Sequence, residues 1–110
     1  MRLNDEESLF EAIEIFESKF IGWLKGRLHE KGIEVKEDIS FQEMLRKYED
    51  RLNGDRQHVN PLMNWAKEKS KCLELKALVK SNQHLDKNDL SLLEKTAMNG
   101  AVLLLTFQTN

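Results

Sequence analysis

The sequence predicts an all-α fold: one domain over residues 1–110, built as a four-helix bundle. Three observations carry this. Five glycines and one proline in 110 residues leave too few turns for a sandwich or barrel, which needs one every ~8–12 residues. Apolar residues recur at spacings of three and four through long stretches, the period of a helix with one buried face. Finally, 17 basic and 19 acidic residues nearly cancel while 40% of the chain is hydrophobic, which is the composition of a folded chain and not a disordered one. There is no internal repeat, low-complexity tract or interdomain linker.

The first helix is expected over residues 4–30. Leu9, Ile13, Phe16, Phe20, Leu24 and Leu28 form its stripe, and Phe10, Ile21 and Trp23 widen it enough to touch two neighbours. Asp5, Glu6 and Glu7 lie in its first turn, where the helix dipole favours anions. Lys31-Gly32 supplies a left-handed stop. Gly22 and Gly26 suggest close helix packing near Trp23. The second helix, residues 41–52, opens with a capping box: Ser40 faces Glu43, and Ile39 is placed to staple onto Met44. Asn53-Gly54 ends it.

The third helix is expected over residues 61–80, with Asn60 as cap and Pro61 at the first helical position. Trp65, Cys72 and Val79 lie seven apart and form a seam with Leu75. The fourth helix, residues 87–107, starts from Asp86 as cap, with Leu85 and Leu90 spaced as a staple. Its core stripe reads Leu90, Leu93, Ala97, Leu104. Leu92, Leu103 and Phe107 fall on other sides of the helix, so its back calls for cover, either from the middle of a bundle or from a partner chain. Residues 101–107 also suit a buried strand.

Charge is uneven along the chain. The first seventeen residues carry net −5 and residues 51–80 net +4. Lys69, Lys76 and Lys80 lie within about 40° of one another on a helical wheel, and Lys67 and Lys71 project from another side. Such a ridge suits an acidic protein surface or, less well, nucleic acid, because no glycine-aromatic signature or arginine fork accompanies it. An internal alternative is that the basic third helix meets the acidic first one, within a chain or across a dimer.

Chemistry-bearing motifs are few. The segment RLNGDRQH, in which six residues separate Arg51 from His58, resembles the R-x4-6-H motif of the HEPN superfamily of small α-helical ribonucleases. That resemblance implies a dimer in which Arg51 and His58 polarise a scissile phosphate. Leu52 departs from the polar residue that usually follows the arginine, and Gly54 and Pro61 place the segment in a turn where the family bridges a helix start. His29 in a last helical turn and His84 in a turn lack partners at metal-ligand spacing. Asp86-Lys87-Asn88-Asp89 opens like a calcium loop, but Ala97 occupies the bidentate position, so capping is the better reading. Cys72, the single cysteine, reads as a buried inert thiol.

The expected function is therefore a small, non-catalytic protein-interaction or regulatory module. It is expected to be cytoplasmic, without cofactor, metal or membrane association, and to use Lys69, Lys76, Lys80, Leu92, Leu103 and Phe107 against another protein or a second copy of itself. The alternative is a nucleic-acid binder, or a HEPN-like ribonuclease, using residues 51–80.

Overall fold

A computed structural model of the chain describes residues 5–81 and 83–108. Within them lie four α-helices and no strand: α1 (Asp5–Glu30), α2 (Phe41–Lys47), α3 (Arg56–Lys80) and α4 (Lys87–Gln108), with a 3₁₀ segment over Asp50–Asp55. Residues 101–107 are thus helical and not a strand.

The local signals act as their chemistry requires. The Glu43 N–H donates to Ser40 Oγ at 3.1 Å, and Ile39 and Met44 are both buried beside that cap. The Asp89 N–H donates to Asp86 Oδ1 at 2.8 Å, capping α4. Gly32 takes φ 77°, so its N–H reaches the His29 carbonyl at 2.9 Å while Ile33 N–H reaches Leu28 at 2.9 Å. These are the two bonds of a Schellman stop, which needs a residue without a Cβ penalty at positive φ.

Two boundaries differ from the sequence-based expectation. The second helix stops at Lys47, not at residue 52. Tyr48 leaves helical geometry (φ −110°, ψ 16°), and the tighter 3₁₀ segment carries Leu52 into the core, where it is fully buried. The third helix starts at Arg56, five residues before Pro61. Buried Val59 draws the chain into the helix early. Pro61 falls in the second turn, where its missing N–H frees the carbonyl of Gln57, an exposed residue that water can serve.

Side-chain contacts fix the topology. Phe16 lies under Gly100, and Trp23 stacks on Phe107 with centroids 4.7 Å apart, so α1 and α4 run parallel. Trp65 lies against Gly100 while Cys72 meets Thr96, and Lys69 meets Glu17 while Lys76 meets Glu14, so α3 runs antiparallel to both. The bundle is therefore three long helices, up-down-up, with α2 laid against α3. Gln42 Nε2 donates to the Ala66 carbonyl at 3.4 Å and to Ser70 Oγ, tying α2 in place.

Phe20, Phe41 and Trp65 meet at the centre, with ring centroids 5.1–6.4 Å apart. Trp65 Nε1 donates to the Thr96 carbonyl at 2.8 Å, a bond wholly inside the core. The indole can lie on the α4 backbone because residue 100 is glycine: a Cβ there would stand 2.7 Å from Phe16 Cδ2 and 3.1 Å from Trp65 Nε1. Gly22 and Gly26, expected to serve such an approach, have no neighbour within 4 Å of a built Cβ. Close helix packing occurs at Gly100 instead.

Candidate protein-interaction surfaces

The first surface is the outer side of α4. Its buried stripe runs through Leu93, Thr96, Ala97 and Gly100, with Leu104 and Phe107 half-buried. Directly opposite, at spacings of four and three, Met98, Val102 and Leu105 are 67%, 57% and 62% exposed. The helix is thus turned by roughly 50° from its sequence-based phase, because its inner line passes through threonine and glycine. Leu92, Leu103 and Phe107, expected on the wet back, are half-buried against the core. A groove of about 360 Å3 between α3 and α4, lined by Pro61, Trp65, Val102 and Leu103 among others, borders the exposed stripe at Val102.

The second surface is the expected lysine ridge. Lys69 pairs with Glu17 and Lys76 with Glu14, both on α1 of the same chain. The first pair is largely enclosed, with side chains 16% and 20% exposed, whereas the second is open, at 36% and 58%. Lys80 lines a recess with Glu7, Glu11 and Glu14 at the same seam. The structure therefore places the meeting of basic α3 and acidic α1 inside one chain. The apolar neighbours of the ridge divide: Leu62 is fully buried and Leu73 is 54% exposed.

The third is a groove of about 470 Å3 between α2 and α3. Leu45, Met63 and Ala66 form an apolar floor, and Arg46, Lys67 and Lys71 stand exposed on the rim with Glu49. α1 does not neutralise these three cations. Among the described residues no carboxylate lies within ion-pairing distance of the three.

Arg51 and His58 occupy different settings. Arg51 is exposed on the 3₁₀ segment. His58 lies in the first turn of α3, so the RLNGDRQH segment does bridge a helix start, contrary to the turn expected from Gly54 and Pro61. Its imidazole is half-buried against Trp23 (5.5 Å between centroids) and Phe107 (5.3 Å), and the Arg27 guanidinium covers the Trp23 ring at 5.7 Å. That setting is a packed aromatic edge of the bundle.

Cys72 is buried, and its Sγ–H donates to Thr96 Oγ1 at 3.4 Å. Burial pushes the thiol above its ordinary value. The Thr96 bond works against that rise, and the nearby Glu68 charge adds to it. Thr96, which the sequence pattern did not flag, has no exposed surface, and its hydroxyl donates to the Leu92 carbonyl at 2.8 Å. A threonine can enter a core in this way because its own helix satisfies it. Among the described residues no cluster of three histidine, cysteine or carboxylate groups is placed to hold a metal.

By length and composition Lys87–Phe107 is apolar enough to cross a membrane, with mean hydropathy 1.2 over its most apolar 18 residues. Only 22% of that stretch is buried, and α1 and α3 supply the cover. Comparison with known proteins finds no matching family model, no matching curated protein and no matching solved structure.

Proposed function

We propose that this chain is a small, non-catalytic interaction module that acts by lodging the outer face of α4 against another protein chain, either a second copy or a different protein. The observation that carries the reading is the exposed line Met98, Val102, Leu105, diametrically opposite the buried stripe of the same helix. A surface helix of a monomer ordinarily turns its polar side to water. Here the outer side is polar in its first half, at Ser91, Glu94 and Lys95, and thereafter apolar along Met98, Val102 and Leu105, with Thr106 at its edge. The bordering α3–α4 groove gives this line a concave neighbour, and an apolar stripe beside a groove is the form in which helices recognise one another.

The exposed line alone amounts to a few hundred Å2, below what a permanent dimer buries, so the contact is weak or needs a partner that also fills the groove. The test compares the wild type with Val102→Glu/Leu105→Glu. Both substitutions are on exposed positions, so the far-UV circular dichroism spectrum and melting temperature should hold. Sedimentation from micromolar to millimolar concentration should show self-association in the wild type only, or affinity capture with mass spectrometry should show a partner that the variant fails to retain. A wild type monomeric throughout, with an identical set of proteins captured by both chains, would sink the reading.

A further inference from the structure

We propose that the groove between α2 and α3 seats an acidic amphipathic helix of another protein. This is a contact separate from the α4 face and carried by different observations. The floor, Leu45, Met63 and Ala66, is apolar, and the rim carries three cations against one carboxylate. Those cations stand apart from the rest of the basic third helix. Lys69 and Lys76 turn toward α1 and find Glu17 and Glu14 there, whereas Lys67 and Lys71 turn toward α2, where Arg46 and the single carboxylate Glu49 share the rim and, among the described residues, no ion pair forms with either lysine. Three like charges beside an apolar channel repel one another and are left for an outside anion to satisfy.

Geometry selects the kind of anion. The walls are two helices running antiparallel, since Gln42 at the start of α2 bonds to Ser70 while the end of α2 leads back to the start of α3. From Met63 to Lys71 the channel is about 12 Å long, two turns of a guest helix. A guest with apolar residues three and four apart fills the floor, and its flanking carboxylates meet the rim. The rim is graded in sign. Lys71 stands near the Gln42–Ser70 end, Lys67 and Arg46 follow, and Glu49 lies toward the Met63 end. A guest is thereby oriented, with its acidic end over Ser70 and Lys71. Nucleic acid fits this site less well, because no aromatic ring lines the groove to stack a base and its floor is aliphatic.

The experiment selects a displayed library of random peptides about four helical turns long against the whole chain, in parallel with Arg46→Glu/Lys67→Glu/Lys71→Glu. A random single-stranded RNA pool forms a third arm. Peptides enriched on the wild type should combine aspartate or glutamate with apolar residues three and four apart. One such peptide, labelled and titrated by fluorescence anisotropy, should lose about a hundred-fold in affinity on the triple variant. Binding should be kept by Lys36→Glu/Lys95→Glu, which reverses exposed lysines elsewhere, and by Val102→Glu/Leu105→Glu, so failure at the α4 face and failure here are read separately. If the triple variant does not fold, Lys67→Gln/Lys71→Gln and amide shift mapping onto α2 and α3 replace it. The proposal is overturned by enriched peptides without acidic residues, by equal binding to the charge-altered variants, by shifts confined to other helices, by RNA outcompeting every peptide, or by no enrichment at all.

Discussion

Replacing Gly100 with alanine should destabilise this protein, although alanine is the better helix former. In an open helix interior the change gains about 1 kcal/mol. At residue 100 the new methyl group would sit 2.7 Å from Phe16 Cδ2, 3.1 Å from Trp65 Nε1 and 3.2 Å from Trp65 Cζ2. Phe16 is half-buried and can swing aside, but the indole is held in a full core and by its bond to the Thr96 carbonyl. Moving it by a few tenths of an ångström incurs overpacking of about 1–3 kcal/mol and weakens a bond worth about 1 kcal/mol net. The balance is a loss of about 1–2 kcal/mol, or a melting temperature lower by roughly 5–15 °C. Gly22→Ala is the internal control. No atom lies within 4 Å of its built Cβ, so the same substitution there should stabilise by about 0.5–1 kcal/mol. Thermal melts followed by circular dichroism and tryptophan emission read both variants. A Gly100→Ala protein as stable as the wild type, or more so, would refute the close approach of Trp65 to α4.

Ser40→Ala should cost about 1 kcal/mol in urea unfolding, since it strands the Glu43 N–H that the serine now accepts at 3.1 Å; coincident unfolding curves would count against the cap. Lys69→Glu should cost about 1–3 kcal/mol by opposing Glu17 in a largely enclosed site, and Lys69→Glu/Glu17→Lys should recover most of that. The same reversal at Lys76 and Glu14, a more exposed pair, should shift stability by under about 1 kcal/mol, so equal effects at the two pairs would contradict their difference in burial. Cys72 should react with a disulfide reagent at neutral pH only as fast as the chain opens, accelerating with urea. Its thiol is pushed up from 9.0, so folding keeps the proton that the unfolded chain releases, and stability from this group is full below that pH and is lost as pH rises past it. Fast labelling of the folded protein would show the thiol to be accessible.

Much of the fold was legible because its signals are local. Ser40 with Glu43, Gly32 at positive φ and Asp86 ahead of Asp89 each declare a helix end within four residues. The errors arose where burial overrode local chemistry. Leu52 is drawn into the core, which breaks α2 early, and Val59 pulls the start of α3 ahead of the Asn60-Pro61 signal that reads as a beginning. The large residues of α4 alone give it a different phase from the folded one, because this helix turns inward through Thr96 and Gly100 to receive an indole. The outer residues are therefore Met98, Val102 and Leu105 and not Leu92, Leu103 and Phe107. The lysines divide between α1 and α2 by tertiary pairing, which a helical wheel of α3 cannot show: it separates the two groups but does not reveal which one meets acids.

An odd number of long passes has a consequence for anything joined to this molecule. α1 enters at one end of a body 48 Å long, and α4, parallel to it, leaves toward the other. Because Trp23 is level with Phe107, Gln108 stands about 30 Å above Asp5 along the bundle axis. Tags or domains attached beyond the two ends are therefore carried at opposite poles, with the length of the bundle between them. A circularly permuted chain would need a linker of about nine extended residues or more to join those poles. Because α1 and α4 lie against each other, the linker's shortest path runs along their shared seam.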